Sequence, residues 1–217
     1  MQTRKIIIPG NEHVFIAGKT GTGKTYLAGK YLSAYKQVYL LDTKGTTSWK
    51  DVKGKDITLI TELKNLPYCY TAKVIYRPIW EEMQEEYYNL FFKFCYQKRN
   101  CVVWIDEVMS IATQAKIPEY YKAILTRGRE LGIAAWSLTQ RPSGIPQITI
   151  SEATHFFIFD LNLKTDREKV TEVTGQKEFM KRPSKQAGGS RFNFYYYNVA
   201  ESDYPTIAKL EAVKKSG

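Results

Sequence analysis

A short glycine-rich segment near the start of the chain has the residue types and spacing of a phosphate-binding site. It consists of Gly18, Lys19, Thr20, Gly21, Thr22, Gly23, Lys24 and Thr25. The segment fits the pattern GxxxxGK[ST], whose glycines let backbone N–H groups turn towards a phosphate. In this pattern Lys24 reaches the β- and γ-phosphates of a nucleotide, and the Thr25 hydroxyl ligates Mg²⁺. We therefore predict that ATP and Mg bind here.

The residues on either side of this segment supply the elements that the pattern requires. Residues 14–17 form an apolar run typical of a strand, and residues 26–32 continue as a helix. The N-terminus of the helix that follows adds unpaired N–H groups and the positive end of its dipole to the phosphate site. Both flanking elements argue against a chance match by a glycine-rich turn.

Two acids follow a later apolar run and could complete the site. The run at residues 101–107 ends in Asp106 and Glu107. The carboxyl ends of parallel strands share one edge of a sheet, so these acids are expected beside the phosphate segment. Asp106 would hold Mg²⁺, directly or through water, and Glu107 would act on the attacking water. Acids also end strands by chance, but the pairing with the phosphate segment favours a functional role.

Three further polar residues have two readings each on sequence grounds. Gln140 follows the run at residues 133–139, and would face the γ-phosphate if that strand lay between the phosphate-segment strand and the Asp106 strand. It could equally be a turn residue. Arg127 and Arg129 lie at a helix end, where they either complement the helix dipole or reach a neighbouring subunit's γ-phosphate. We place Arg127 ahead of Arg129 for that second role.

Composition and patterning indicate one α/β domain spanning residues 1–217. The chain is 43% hydrophobic and 25% charged, which is ordinary for a globular protein and argues against disorder. It lacks a run of about 18 apolar residues, and its three cysteines form no CxxC pair, so we expect neither a membrane span nor a zinc or disulfide framework. Short apolar runs alternate with helical patterns, which predicts a mostly parallel central sheet flanked by helices. Strands are predicted at residues 13–17, 38–42, 72–76, 101–106, 133–139, 155–161 and 192–198.

Helices are predicted at residues 80–98, 118–131 and 165–174. The first of these carries apolar residues at helical spacing, which predicts a stripe facing the core. The stripe comprises Trp80, Met83, Tyr87, Leu90, Phe91 and Phe94.

The C-terminal part of the chain differs in composition. Residues 176–217 are interpreted as an extension, in which residues 177–191 form a flexible basic loop rich in Lys, Arg, Gly and Pro. The loop is either a solvated connector or a contact to nucleic acid. The chain as a whole has a formal net charge of +10, which favours polyanionic partners.

Taken together, these motifs resemble the FtsK/HerA superfamily of DNA-pumping P-loop ATPases, over residues 5–161. The Asp-x-Lys-Gly sequence at residues 42–45, the Arg-Pro pair at residues 77–78 and Gln140 match family elements in the family's order. The resemblance implies a RecA-like sheet of order 5-1-4-3-2 and a hexameric ring with ATP sites between subunits. It also implies double-stranded DNA in the central channel, with catalytic roles for Lys24, Glu107, Gln140 and one of the two arginines.

Within that superfamily, the compact length is similar to the genome-packaging ATPases of membrane-containing icosahedral viruses, especially the turreted viruses of Sulfolobus. The resemblance then implies capsid or inner-membrane proteins as partners and a location in the host cytoplasm or on the virion. Lys19 stands where ParA-type partition ATPases carry a signature lysine, but Thr20 and Glu107 depart from that group. Residues after 161 match no family motif.

The resulting hypothesis is an ATP-driven motor that moves double-stranded DNA without sequence preference into a preformed capsid. A motor of the same superfamily for DNA transfer, repair or phage export is an alternative. A small-molecule P-loop kinase and an ATP-dependent binding switch are alternatives of other classes.

Overall fold

The computed structural model describes residues 6–49, 52, 54–186 and 188–210. Its strands are β1 (Val14–Ala17), β2 (Val38–Leu41), β3 (Ile57–Ile60), β4 (Lys73–Tyr76), β5 (Val102–Ile105), β6 (Ala134–Thr139), β7 (His155–Ile158), β8 (Asn193–Asn198) and β9 (Thr206–Lys209). Its α-helices are α1 (Lys24–Leu32), α2 (Glu85–Lys98), α3 (Glu119–Arg127), α4 (Ile148–Ser151) and α5 (Lys164–Thr174). Within these ranges, no helix combines the length and apolar character needed to cross a bilayer.

All of these strands belong to one sheet, in the order β3-β4-β2-β5-β6-β1-β7-β8-β9. Neighbours from β3 to β7 pair in parallel, whereas β8 and β9 pair antiparallel. The predicted α/β fold with a mostly parallel sheet is confirmed. The inner order β7-β1-β6-β5-β2 is the expected 5-1-4-3-2 arrangement, and it places β6 between β1 and β5 as the reading of Gln140 required.

The inner strands are buried on both faces because helices cover both sides of the sheet. Alternate residues of β1 enter different cores: Val14 and Ile16 pack with α1, and Phe15 and Ala17 pack on the opposite face. The opposite face is covered by α2, α3, α4 and α5. The parallel strands all have their carboxyl ends at one edge of the sheet. The packing on both faces holds the strands in this arrangement.

The prediction of one helix over residues 80–98 is wrong at its start. Residues Trp80–Glu82 form a separate 3-10 turn, and α2 begins only at Glu85. The fully buried residues of α2 are Tyr88, Phe91, Phe92 and Cys95. Of the predicted stripe, Phe91 is therefore buried, and Phe94 also packs against the core. Leu90 is exposed, as are Trp80 (82%) and Met83, which lie before α2 begins.

The sequence analysis also missed β3 and β9, which add to opposite ends of the row of strands. Both are four residues long and mostly exposed or half-buried, as is usual for short edge strands. The predicted helix at residues 118–131 is shorter, since α3 ends at Arg127 and a 3-10 turn follows at Arg129–Leu131.

The interpretation of residues 177–191 as a flexible loop is wrong for the residues described. Two 3-10 turns, Lys177–Met180 and Pro183–Lys185, organise the segment. Phe179 is buried in the main core, and Arg182 forms a 3.1 Å ion pair with buried Asp160. An apolar anchor and a paired cation therefore hold this basic segment against the sheet.

His13, which precedes β1, is expected to make the fold sensitive to acid. Burial lowers the pKa of His13 to about 4. The unfolded chain binds a proton near pH 6.5, so stability should fall as pH drops from about 6.5 towards 4, by on the order of 3 kcal/mol from this group. Urea unfolding followed by tryptophan fluorescence between pH 7.5 and 4 measures this loss.

The matched variant is His13→Asn. The Nδ1 atom of His13 accepts a hydrogen bond from the Ala135 N–H at 2.9 Å, and an asparagine oxygen can replace that acceptor without titrating. The variant should lose less stability than the wild type over the same pH range. Parallel curves for the two proteins would contradict the assignment to His13.

Candidate active site

The phosphate loop is residues 18–25, which run from the end of β1 into the first turn of α1. Its backbone requires glycine at Gly18, where φ is 157° and a Cβ atom would lie 2.5 Å from the Phe159 Cβ atom. Gly23 caps α1 with φ 101°, in the left-handed region that favours glycine. The loop therefore closes tightly round the N-terminus of α1, as an anion site requires.

Lys24 points into this loop. Its Nζ atom donates to the carbonyl oxygens of Gly18 at 2.6 Å and Lys19 at 3.1 Å. Burial lowers the pKa of Lys24 to about 8, while the nearby Glu107 and Asp106 carboxylates act in the opposite direction. A buried ammonium that has only partial compensation is stabilised by an incoming anion, which is the role predicted for Lys24.

Thr25 and Asp106 meet across the sheet. The Thr25 hydroxyl donates to Asp106 Oδ1 at 2.9 Å, although β6 separates their strands. Burial raises the pKa of Asp106, and the Thr25 hydrogen bond opposes that effect. Two adjacent oxygen ligands beside a phosphate loop are the donor set that Mg²⁺ prefers, so this pair fits the predicted ion.

Glu107 is held between two neighbouring strands. Its Oε2 atom accepts from Lys44 Nζ at 2.7 Å, and its Oε1 atom accepts from the Thr139 hydroxyl at 2.9 Å. Lys44 follows β2, and Thr139 ends β6, which lie on either side of β5. The carboxylate is 6% exposed, so both partners compensate a charge that is largely removed from water.

Lys44 is a site residue that the sequence analysis left without a role. Its loop is fixed by Asp42, which is fully buried, accepts from Arg77 Nε at 3.0 Å and lies 2.9 Å from Arg77 Nη2. The Thr47 N–H donates to the same carboxylate at 3.1 Å. The Asp-x-Lys-Gly and Arg-Pro sequences thus pair with each other through Asp42 and Arg77, and this pair positions Lys44. A cation at the end of the strand next to Glu107 was the available signal.

Gln140 lies beside the phosphate loop, on the first residue after β6. Its Oε1 atom accepts a 2.7 Å hydrogen bond from the Thr20 hydroxyl, and its backbone N–H points to Glu107 Oε1 at 3.4 Å. Gln140 therefore links the loop to the strand-end acid, in the position that a γ-phosphate sensor needs.

Arg127 and Arg129 lie far from the site of their own chain. Arg127 ends α3 and is exposed. Arg129 pairs with Glu12 at 3.2 Å, next to the amino ends of β1 and β7. The phosphate loop, Asp106 and Glu107 all occupy the carboxyl edge, so either arginine could reach a phosphate only in another subunit. The engagement of Arg129 by Glu12 favours Arg127.

Comparison with known proteins follows this geometry. A profile of the ATPase family associated with various cellular activities (AAA) matches residues 14–126, just over half of the chain. This protein belongs to the AAA family of ATPases. Among curated relatives, the DNA packaging ATPase P9 of Enterobacteria phage PRD1 is 27% identical over 199 residues, covering 88% of this AAA ATPase and 84% of the relative.

Solved structures share the fold. The genome packaging NTPase B204 of Sulfolobus turreted icosahedral virus 2, in complex with AMPPCP, superposes with a TM-score of 0.73 at 17% identity. That match covers 94% of this AAA ATPase and 100% of B204. VirB4 of Thermoanaerobacter pseudethanolicus has a TM-score of 0.63 at 9% identity, with 93% and 90% covered. The predicted resemblance to viral genome-packaging ATPases is confirmed.

The lowered pKa of Lys24 predicts that ADP binding weakens at alkaline pH. Phosphate groups with a second pKa near 6 are fully ionised above pH 7.5, so Lys24 should dominate the change. Because the free ammonium loses its proton above about pH 8, ADP affinity should fall by up to about tenfold per pH unit beyond that point. Titration calorimetry with ADP from pH 7 to 9.5 measures the slope.

Two variants isolate the source of that slope. Lys24→Met should bind ADP weakly and without this pH dependence. Lys185→Ala removes an exposed charge outside the phosphate loop and should reproduce the wild-type slope. A steep slope that persists in Lys24→Met would assign the titration to another group.

Proposed function

We propose that this AAA ATPase is a motor that hydrolyses ATP to move double-stranded DNA into a preformed viral capsid. The observation that carries the hydrolysis is the convergence of Lys24, the Thr25–Asp106 pair and Glu107 at one sheet edge. The packaging role rests on similarity to the packaging ATPases of two viruses, both of which match over most of their length.

The residues supply complementary parts of an in-line hydrolysis. Lys24 would bind the β- and γ-phosphates, and Thr25 and Asp106 would hold Mg²⁺, Asp106 directly or through water. When bound, that ion would offset negative charge on the phosphate oxygens. Glu107 would orient a water molecule and accept its proton, while the water oxygen bonds to the γ-phosphorus and the bond to the bridging oxygen of ADP breaks.

Gln140 would contact the γ-phosphate, and Lys44 would hold Glu107 in position. Gln140 bonds to Thr20 of the phosphate loop and would exchange that contact for the γ-phosphate. The Lys44 ammonium lies 2.7 Å from Glu107 and holds the carboxylate in place through charge. Glu107 is thus oriented before a nucleotide arrives, which limits reorganisation during the reaction.

Assembly would complete the site. Arg127 and Arg129 lie at the edge opposite the phosphate loop, so a ring would bring one of them to a neighbour's γ-phosphate, where a guanidinium stabilises spreading charge. We propose a hexamer, with DNA in its channel and capsid or inner-membrane proteins as further partners on the virion. The net charge of +10 suits contacts to DNA phosphates without sequence preference.

Glu107→Gln should separate binding from hydrolysis. The amide keeps the shape of the side chain but cannot accept the water's proton, so ATP turnover should fall by about 100-fold or more. ATP binding should remain, because Lys24 and Thr25 are unchanged. Steady-state phosphate release and equilibrium ATP binding test both statements. Near-normal turnover would remove Glu107 from the base role, whereas Lys24→Ala should abolish binding.

ATP turnover per subunit should rise with protein concentration, and again on addition of duplex DNA. Both effects follow if an arginine from one subunit completes the site of the next and DNA occupies the ring. Rates measured across a concentration series, with and without duplexes of different sequence and at two salt concentrations, test the coupling. ATP turnover that depends on neither protein concentration nor DNA would contradict the motor function, and only the ATPase activity would remain supported.

Mixed rings identify the arginine. Arg127→Ala subunits and Glu107→Gln subunits should each be inactive alone, and a mixture should regain part of the activity at interfaces that combine two intact contributions. The same mixture with Arg129→Ala is the matched comparison. Recovery in neither mixture would contradict an arginine acting between subunits.

A further inference from the structure

The C-terminal hairpin formed by β8 and β9 reaches the phosphate loop. Leu210, directly after β9, packs on Gly23: a Cβ atom on Gly23 would lie 2.5 Å from Leu210 Cδ1 and 3.8 Å from Phe192 Cδ1. The Leu210 N–H donates to the Phe192 carbonyl at 3.1 Å, so the two residues are joined across the hairpin. A segment outside every recognised motif therefore contacts the start of α1.

The sheet order tells which end of a nucleotide this segment would meet. β6 and β5 lie on one side of β1, and β7, β8 and β9 lie on the other. The reacting γ-phosphate must face Glu107 and Gln140, which follow β5 and β6. A nucleotide held in the phosphate loop then extends its ribose and base away from these residues, towards β7 and the hairpin.

The chemistry on that side suits a flat aromatic ligand. The guanidinium of Arg191 lies over the Phe192 ring at 4.6 Å from its centroid. Arg191 is exposed, while Phe192 and Leu210 are half-buried. Aromatic rings and guanidinium planes are the groups on which nucleobases stack, and an aliphatic side chain adds apolar contact.

This arrangement is anchored to the phosphate loop by Asp160, which follows β7. The Asp160 carbonyl accepts from the Lys19 N–H at 2.9 Å. Its carboxylate accepts from Arg182 at 3.1 Å and from the Ser184 N–H at 2.9 Å. One residue thus contacts both the loop that would bind the phosphates and the start of the segment that leads to Arg191.

We propose that Arg191, Phe192 and Leu210, called here the stacking surface, bind the base of the nucleotide. The inference rests on the proposed function, because it requires the phosphate loop to hold the phosphates. Stacking engages the ring face that every base has, rather than its pattern of donors and acceptors. The stacking surface therefore accepts adenine and guanine alike, and the protein binds ADP and GDP with affinities within a few fold of each other.

The test compares ADP, GDP and inorganic tripolyphosphate, which carries phosphates without a base. Calorimetry should show that Phe192→Ala and Arg191→Ala weaken ADP and GDP by about tenfold. Tripolyphosphate should bind both variants as it binds the wild type. Arg191 is exposed, so its variant is expected to fold even if Phe192→Ala does not. Lys185→Ala controls for the loss of one positive charge in the same basic segment.

Each outcome decides one of the two proposals. Unchanged ADP affinity in Arg191→Ala and Phe192→Ala, or an equal loss of ADP and tripolyphosphate, would overturn the stacking surface and leave the phosphate loop intact. A preference for ADP over GDP of 100-fold or more would overturn the base tolerance. If wild-type protein bound neither ADP nor tripolyphosphate in a Lys24-dependent manner, the proposed function itself would fail.

Discussion

The buried ammonium of Lys24 is the constraint on which the site depends. A cation that is removed from water, and that donates to backbone carbonyl oxygens, is incompletely compensated. The fold tolerates it because Asp106 and Glu107 supply negative charge from the end of β5. A bound polyphosphate would offset the remaining cost of burying the Lys24 ammonium. That gain in free energy would contribute to the affinity for the nucleotide.

Asp106 and Glu107 are adjacent in the chain but have different partners. Asp106 bonds to the Thr25 hydroxyl, a neutral donor, and burial raises its pKa, so a divalent ion is its natural partner. Glu107 has a cation of its own in Lys44, whose loop is fixed by the buried Asp42–Arg77 pair. A chain of charges thus runs from β4 through β2 to β5. Each strand end is held by its neighbour, which keeps the site rigid without a ligand.

Sequence reasoning located the parts of this site that depend on local spacing. The phosphate loop was recognised because a strand, a turn and a helix are contiguous in the chain, and the acids and Gln140 were recognised because each follows an apolar run. Lys44 and Arg182 were not recognised, because the role of each depends on a partner more than 20 residues away. Periodicity also did not reveal the break before Glu85, so Trp80 and Met83 were assigned to a helix that begins only after them.

The C-terminal extension shows how an antiparallel addition can serve a parallel sheet. Although α5 lies between β7 and β8 in the chain, β8 pairs antiparallel with β7 and then returns through β9. That return delivers Leu210 to Gly23, at the edge where the parallel strands end. An antiparallel hairpin therefore brings the described end of the chain to the phosphate loop. Because Gly23 caps α1, a movement of the hairpin would displace the N-terminus of α1, which is the end proposed to bind phosphate.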